Sequence, residues 1–128
     1  MSNRAIISTP AAPEALGPYS QGIKVGNTVW LSGQIPLIPG SMELVTGAIG
    51  DQATQVFKNL AAICQAANGS LSDCVKLTIY LTDLGNFAEV NEVMASFFET
   101  PYPARAAIEV SALPKGVSIE IDAIMSLG

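Results

Sequence analysis

The residues best suited to chemistry begin with an arginine that interrupts an apolar segment. Arg105 lies between alanines in residues 102–110, and the period of two in that segment is typical of a β-strand. A guanidinium keeps its charge and is costly to bury without a partner, and its planar fork matches a carboxylate. Arg105 is therefore a candidate for binding a small carboxylate. The alternative is a structural salt bridge, with Glu109 or Glu120 as its partner.

Two further polar residues are candidates because of the elements that would carry them. Glu120 lies on the polar face of a predicted strand over residues 117–125. If this strand formed a hairpin with the Arg105 strand, Glu120 would lie near Arg105 and, being ionised, could orient water. Asn91 lies on or beside the apolar face of a predicted helix. Its amide there needs a partner within the fold, in a ligand or in a neighbouring subunit.

Three more candidates lie earlier in the chain. Tyr19 belongs to the run Gly-Pro-Tyr-Ser-Gln-Gly at 17–22, whose proline and glycines fix a loop. A tyrosine in such a loop packs against the fold more often than it binds a ligand. Gly33, near the end of a predicted strand, would let a ligand approach the backbone closely. Ser32 has no histidine to activate it as a nucleophile, but its hydroxyl can donate a hydrogen bond to a bound anion.

Composition limits the classes of protein to consider. The 128 residues suit a single domain spanning 1–128, and 49% of them are hydrophobic. Only 13% are charged, against roughly 25% in typical soluble domains. We therefore predict that apolar surface is buried between copies in an obligate homo-oligomer. The six basic residues are scattered and the net charge is -5, which disfavours a nucleic-acid partner because such binding draws on clustered Lys and Arg.

Missing residue types exclude several kinds of catalytic centre. The chain has no histidine, so His-based triads, His general bases and His metal ligands are excluded. Cys64 and Cys74 are too few for a thiolate zinc site and are predicted to be buried thiols in a reducing compartment. We predict no metal. No apolar run approaches the roughly 20 residues of a membrane span, and the N-terminus lacks a secretory signal, so a cytoplasmic protein without membrane contact is predicted.

The hydrophobic pattern predicts which elements position these residues. They are a strand at 3–8, a hairpin of 23–25 and 28–31 around Gly26-Asn27, a short strand at 43–45, a helix capped by Asp51 and ended by Asn68-Gly69, a strand at 75–82, a helix at 87–98, and strands at 102–110 and 117–125. This order is typical of an α+β domain with two helices on one face of a mixed sheet. The other face, which the pattern makes rich in Thr, Ser and Ala, is predicted to be shared by subunits.

Several short motifs together resemble one protein family over essentially the whole chain. They are Gly-Pro-Tyr-Ser-Gln at 17–21, Leu-Ser-Gly-Gln-Ile-Pro at 31–36, Thr-Asp-Leu at 82–84, Val-Asn at 90–91, Pro-Ala-Arg at 103–105 and Ile-Glu-Ile at 119–121. Each motif is weak alone, but in this order and spacing they resemble the RidA (YjgF/L-PSP) family. The resemblance implies a chorismate-mutase-like fold with a mixed six-stranded sheet. It also implies a homotrimer in which three sheets form a central barrel, with active sites in the clefts between subunits.

The resemblance also implies an activity. Members of the family hydrolyse reactive 2-imino acids, such as 2-iminobutanoate and 2-iminopropanoate, to 2-oxo acids and ammonia without a cofactor. Arg105 matches the arginine that holds the substrate carboxylate, and Glu120 matches the glutamate associated with the attacking water. The positions that line the cleft match Tyr19, Ser32, Gly33 and Asn91.

The chain departs from the family pattern at one position and leaves other functions open. Many members have cysteine two residues after the arginine, where this chain has Ala107, so a function that needs a thiol there is disfavoured. One alternative is an endoribonuclease or translation inhibitor, which the acidic composition opposes. The other is a non-catalytic trimer that binds small carboxylates or acts as a chaperone.

Overall fold

Six strands form one mixed sheet in the computed structural model of the chain, which describes residues 4–128. The strands are β1 (Ala5–Ile7), β2 (Gly22–Val25), β3 (Thr28–Gln34), β4 (Cys74–Leu81), β5 (Ala104–Glu109) and β6 (Ile119–Ser126). They lie in the order β1-β2-β3-β6-β4-β5, with β4 and β5 parallel and the other described pairs antiparallel. The prediction of a mixed six-stranded sheet is confirmed. Residue 3 of the predicted first strand lies outside the described residues.

Two helices, α1 (Ile49–Ala66) and α2 (Phe87–Phe97), pack on the same face of this sheet, as predicted. Apolar residues recur along α1 at helical spacing, so one stripe of the helix is buried against the strands. Helix α2 buries Val90 and Met94 in the same core. The two helices meet through aromatic rings, with 5.4 Å between the ring centroids of Phe57 and Phe97. Three single turns of 3-10 helix complete the fold at Leu71–Asp73, Leu84–Asn86 and Pro114–Gly116.

The ends of α1 differ in how well the sequence predicted them. Asn68 has a positive φ of 66°, and the amides of Asn68 and Gly69 donate to the carbonyls of Gln65 and Cys64, both at 2.9 Å. This pair of bonds is the Schellman arrangement that ends many helices, so the predicted end is confirmed. The predicted cap at Asp51 is wrong, because the helix begins two residues earlier and Asp51 lies in its first turn.

A residue of α2 supplies the carboxylate at the start of α1. The Glu89 Oε2 atom accepts a hydrogen bond of 2.6 Å from the Gly50 amide. Free amides and the helix dipole make a helix N-terminus favourable for a carboxylate, whichever element carries it. Local spacing along α1 could not indicate this contact, because Glu89 is 39 residues away in the chain.

Two local strand predictions are modified by the structure. The hairpin of β2 and β3 has the predicted two-residue turn, with Gly26 at a positive φ of 59°. The short strand predicted at 43–45 is reduced to one isolated bridge between Leu37 and Leu44. At the start of β4, a register shift between Cys74 and Lys76 leaves Val75 50% exposed, although it lies two residues before the fully buried Leu77.

The predicted hairpin of the last two strands is wrong. Strand β4 lies between β5 and β6, and β5 runs parallel to β4 because α2 connects them as a crossover. Arg105 pairs with Leu77, which faces the helices, whereas Glu120 pairs with Tyr80 on the other face. Paired residues project to the same side of a sheet. Arg105 and Glu120 therefore lie on opposite faces of the sheet.

The sheet face that carries no helix is more apolar than predicted. Beside Thr78 and Ala106, this open face carries Ile6, Trp30 and Ile108, whose side chains are 71%, 46% and 44% exposed. Large exposed apolar side chains grouped on one surface are typical of a protein interface. The prediction of a face rich in Thr, Ser and Ala is therefore incomplete, because large apolar side chains are exposed there as well.

The two cysteines lie together in the core between α1 and the start of β4. The Sγ atoms of Cys64 and Cys74 are 3.8 Å apart and form a thiol hydrogen bond, not a disulfide. The prediction of buried free thiols is confirmed. The hydrogen bond between the Cys64 thiol and Cys74 and, second, burial raise the pKa of the Cys64 thiol. Across residues 4–128, neither helix combines the length and apolar composition that a bilayer-spanning segment needs.

Candidate active site

The predicted site residues fall into two groups, one on each side of the sheet. Arg105 and Asn91 lie together between β5 and α2 and line one cavity. Tyr19, Gly33 and Glu120 line a second cavity beside the open face. We call these the arginine half-site and the glutamate half-site. Each is described first by the elements that hold it.

The arginine half-site is held by one stripe of α2. The guanidinium donates from Nη1 to Asn91 Oδ1 at 2.5 Å and lies 3.4 Å from Met94 Sδ. Its central carbon lies 4.9 Å from the centroid of the Phe87 ring. Phe87, Asn91 and Met94 are spaced four and three residues apart, so the helix places them on one side. A cavity of about 350 Å³ opens here, lined by Asn91, Met94, Ala95, Tyr102, Pro103 and Arg105.

The contacts of Arg105 decide between the two roles considered from the sequence. Among residues 4–128, no carboxylate forms an ion pair with this guanidinium, and its partners there are an amide, a thioether and an aromatic ring. Glu109 instead accepts a hydrogen bond of 3.0 Å from the Leu84 amide. Neutral partners orient a guanidinium without neutralising it. Its charge therefore remains available to an anion, and the salt bridge predicted as the alternative is wrong within one subunit.

The glutamate half-site forms where β3 leaves regular pairing with β6. A register shift between Leu31 and Gln34 brings Gly33 against Glu120. A Cβ at position 33 would collide with Glu120 Oε2, so the carboxylate can keep this position only while residue 33 is glycine. The sequence had suggested a different role for Gly33, the close approach of a ligand to the backbone. The cavity here is about 370 Å³ and is lined by Pro13, Glu14, Leu16, Tyr19, Gly33, Gln34, Ile35, Leu37, Met42, Pro114, Lys115 and Glu120.

The loop at residues 17–22 exposes the Tyr19 ring and accepts a hydrogen bond from the Ser32 hydroxyl. Tyr19 is 54% exposed, so its ring is not a packing residue of the subunit. The Ser32 hydroxyl donates to the Ser20 carbonyl at 2.5 Å, which uses the proton that was predicted for a bound anion. Behind the loop, the buried Gln21 side chain donates to the carbonyls of Thr9, Ala12 and Pro13 and accepts from the Thr9 amide. These bonds fix residues 9–13, and Pro13 lines the same cavity as Tyr19.

The electrostatics of the glutamate half-site involve two residues that the sequence did not single out. Burial and, second, the negative charge of Asp122 raise the pKa of Glu120. The Tyr80 hydroxyl donates to Asp122 Oδ2 at 2.9 Å, and this bond is the main reason why the pKa of Tyr80 is raised. The spacing of two between Glu120 and Asp122 indicated that they share a face of the strand. The position of Tyr80 beside them could be known only from the order of the strands in the sheet.

The two half-sites are too far apart to act on one small substrate within a subunit. Glu120 pairs with Tyr80, and Tyr80 pairs with Ile108, three residues from Arg105. Two strand spacings of about 5 Å and three residues of about 3.3 Å give a Cα separation of roughly 14 Å, before the opposite directions of the side chains are considered. The proximity predicted for Arg105 and Glu120 within one chain is therefore wrong.

Within residues 4–128, no three His, Cys, Asp or Glu side chains converge as a metal site would require. The absence of a metal and of a cofactor stays a prediction.

Comparison with known proteins places the chain in a family. The family model described as Endoribonuclease L-PSP matches residues 9–126. A 2-iminobutanoate/2-iminopropanoate deaminase from Dermatophagoides farinae is 46% identical over 125 residues, which cover 98% of each chain. The structure of RidA from the Antarctic bacterium Psychrobacter sp. PAMC 21119 is 53% identical with a TM-score of 0.92, and the match covers 95% of this chain and 98% of that one.

A further solved structure, E. coli TdcF with bound serine, has 42% identity and a TM-score of 0.92 and covers 97% of this chain and 99% of its own. These matches confirm the YjgF/L-PSP fold that the sequence motifs implied. By sequence and by structure, the chain belongs to the RidA (YjgF/L-PSP) family.

Proposed function

We propose that this chain is a deaminase that hydrolyses reactive 2-imino acids, such as 2-iminobutanoate and 2-iminopropanoate, in clefts between the subunits of a homotrimer. The observation that carries the proposal is the division of the site. A charged guanidinium that has no carboxylate partner among residues 4–128 lies on one side of the sheet, and a half-buried carboxylate lies on the other. A neighbouring subunit can bring its arginine half-site against the glutamate half-site, which one subunit cannot do alone.

The open sheet face supports the assembly. Its exposed apolar side chains include Ile6, Trp30 and Ile108, and they lie on the same face as Glu120. Burying them between copies is favourable at about 25 cal/mol per Å² of apolar surface. Closed cyclic symmetry repeats one contact around the ring, so every subunit contributes each half-site once.

In the mechanism, Arg105 binds the substrate carboxylate through two parallel hydrogen bonds. Glu120 holds a water molecule against the imine carbon, which is already electrophilic, so positioning supplies most of the catalysis. The carboxylate takes a proton from the water as its oxygen bonds to carbon, and returns that proton to nitrogen. A second transfer moves the hydroxyl proton of the adduct to nitrogen as the C–N bond breaks. The water oxygen stays on carbon, both water protons end on nitrogen, and a 2-oxo acid and ammonia leave.

The names of relatives support this substrate class. The protein from Dermatophagoides farinae, 46% identical, carries the name of a 2-iminobutanoate/2-iminopropanoate deaminase. TdcF, 42% identical, was solved with serine, a small 2-amino acid whose carboxylate resembles that of a 2-imino acid. Ala107 packs against the core in this chain, and the mechanism above has no step that needs a thiol there.

The test is a coupled assay in which an amino-acid oxidase or threonine dehydratase generates the imine and semicarbazide traps it. The wild type is expected to divert the imine before it is trapped. Arg105→Ala is expected to lower kcat/KM about 100-fold or more, because two charge-assisted hydrogen bonds of roughly 1.5–3 kcal/mol each are lost. Arg105→Lys keeps the charge without the fork and is expected to recover only part of the loss.

A charge-matched control separates this effect from net charge. Lys58→Ala removes a cation from α1, outside both half-sites, and is expected to leave the diversion unchanged. Full activity in Arg105→Ala would contradict the mechanism. Binding of small carboxylic acids without turnover would favour the non-catalytic alternative, and salt-sensitive RNA cleavage by the purified protein would favour the endoribonuclease.

A further inference from the structure

A cluster of three ionisable side chains lies on the open sheet face beside the proposed attacking water. Glu120 and Asp122 alternate along β6, so both side chains project from the same face. Tyr80, on the adjacent strand β4, pairs with Glu120 in the register and donates its hydroxyl proton diagonally to Asp122 Oδ2 at 2.9 Å. The mechanism above uses only the first of these three residues.

We infer that Asp122, held in place by Tyr80, is a positioning residue that keeps Glu120 able both to accept and to return protons during imine hydrolysis. This inference rests on the proposed function, because it concerns the proton transfers of that reaction. Asp122 does not touch the substrate in this account. It acts on Glu120 through its charge, and Tyr80 acts on Asp122 through the hydrogen bond.

The position of Asp122 is well defined by its partners. Across the sheet, Asp122 pairs with Thr78, and its Oδ2 atom is fixed by the Tyr80 hydroxyl. That bond raises the pKa of Tyr80. The bonded carboxylate lies two residues from Glu120, about 6.6 Å along the strand.

The other ionisable groups near Glu120 do not account for its raised pKa. From β4 it faces Tyr80, and across the cavity it faces Glu14, Tyr19 and Lys115. Only burial and the charge of Asp122 contribute to the raised pKa of Glu120. The backbone of Gly33 lies against the carboxylate and brings no charge. In the cleft of the proposed function, Arg105 of a neighbouring subunit binds the substrate carboxylate.

The chemistry explains why such a charge is useful. Glu120 must take a proton from water and then give it to the imine nitrogen in each turnover. A carboxylate with an ordinary pKa holds a proton too weakly to be a good acid near neutral pH, and catalysis is most efficient when the pKa lies near the operating pH. A neighbouring negative charge moves a carboxyl in that direction while leaving it exposed to water.

The direct test is a carboxyl NMR titration of Glu120, assigned by the signal that disappears in Glu120→Gln. Asp122→Asn removes the charge with little change in shape, and the Glu120 midpoint is expected to move to lower pH. Asp122→Glu restores the charge and is expected to bring the midpoint back towards the wild-type value. Glu99→Gln removes a carboxylate outside both half-sites and is expected to leave the midpoint unchanged.

A second variant keeps the test decisive if Asp122→Asn folds poorly. Tyr80→Phe removes the hydrogen bond that holds the Asp122 carboxylate, so the Glu120 midpoint is expected to move to lower pH, by less than in Asp122→Asn. An unmoved midpoint in Tyr80→Phe, or in a folded Asp122→Asn, would overturn the inference.

The pH dependence of activity distinguishes this role from a purely structural one, because a purely structural role would leave the acid limb of the profile in place. The acid limb of the kcat/KM profile requires ionised Glu120 and is expected to move to lower pH in Asp122→Asn, while the maximal rate falls. A uniform loss without movement of the limb contradicts the inference and leaves the proposed function intact. A wild type that does not divert the imine at all overturns the proposed function itself, whatever the titration shows.

Discussion

The two half-sites handle charge in opposite ways. Arg105 is surrounded by neutral groups, an amide oxygen, a thioether and an aromatic ring, which orient the guanidinium and leave its charge intact. Glu120 lies near another carboxylate and is partly removed from water, which makes its negative charge less favourable. The first arrangement suits a group that binds an anion throughout a reaction. The second suits a group that must change protonation during it.

The difference also appears in how each half-site is built. The arginine half-site uses residues spaced along one helix, so α2 alone fixes the partners of Arg105. The glutamate half-site uses an irregularity between two strands and a loop fixed from behind by Gln21. Local spacing is therefore sufficient for one half-site, and long-range register is needed for the other.

The largest effect is expected when the two half-sites are damaged in different subunits. Arg105→Ala and Glu120→Gln are each expected to be inactive as pure proteins. In a trimer, co-expression of equal amounts should restore activity in about a quarter of the clefts, because one intact half-site of each kind must meet there. Ammonia release by the mixed oligomer, compared with a mixture of the separately purified proteins, measures this. A mixed oligomer as inactive as its parents would place the whole site within one subunit.

A smaller effect is expected when only the glutamate half-site is disturbed. Gly33→Ala places a Cβ against Glu120 Oε2, so the carboxylate must move from its position. A displacement of about 1 Å costs up to roughly 100-fold in rate, so we expect kcat to fall by 10- to 100-fold. Binding of a small carboxylate at Arg105, measured by calorimetry, should be unchanged.

A second glycine provides the matched control for this variant. A Cβ at Gly17 would meet only the Tyr19 ring, at an ordinary 3.7 Å, so Gly17→Ala is expected to retain kcat. Equal losses in both variants would mean that the effect of Gly33→Ala is general to this part of the fold.

The smallest effect concerns stability and has the opposite sign to activity. Because the pKa of Glu120 is raised in the folded chain, the folded state holds this proton more tightly than the unfolded state does. The contribution is most favourable below the ordinary pKa of glutamate and is lost as pH rises through the folded value. Inactive Glu120→Gln is therefore expected to unfold at a slightly higher temperature than the wild type at pH 7.5, with the difference shrinking towards pH 4.

Thermal unfolding at equal protein concentrations measures this difference, since the concentration affects the stability of an oligomer. Glu99→Gln removes an exposed carboxylate for comparison. A lower unfolding temperature for Glu120→Gln at pH 7.5 would indicate that the charge of Glu120 stabilises the fold and that its pKa is not raised.

The elements of the fold were largely predictable because their signals are local. The buried stripe of α1, its end at Asn68 and the turn at Gly26 all depend on residues close together in the chain. Asn91 was also found locally, because its spacing from Phe87 and Met94 places it on a helix face. The start of α1 was misplaced because its carboxylate, Glu89, comes from another helix.

The relation between Arg105 and Glu120 was not predictable by pairing adjacent strands. Sequence neighbours suggested a hairpin, but α2 connects β4 to β5 as a parallel crossover, and β6 then pairs with β4. Because β4 lies between β5 and β6, Arg105 and Glu120 are farther apart than in a hairpin, and the resulting register places their side chains on opposite faces of the sheet. Asp122 and Tyr80 were missed for the same reason, because their hydrogen bond joins residues 42 positions apart.

The buried thiol pair makes it possible to measure how often the core opens. Cys64 is fully buried and Cys74 is 6% exposed, so a thiol reagent in solution reaches them only when α1 separates from β4. Each labelling event therefore records an opening of the core, and the labelling rate at saturating reagent equals the opening rate. Helix α1 packs on β3 and β6, which carry the glutamate half-site, and on α2, which carries partners of Arg105, so labelling reports motions that would disturb both half-sites together.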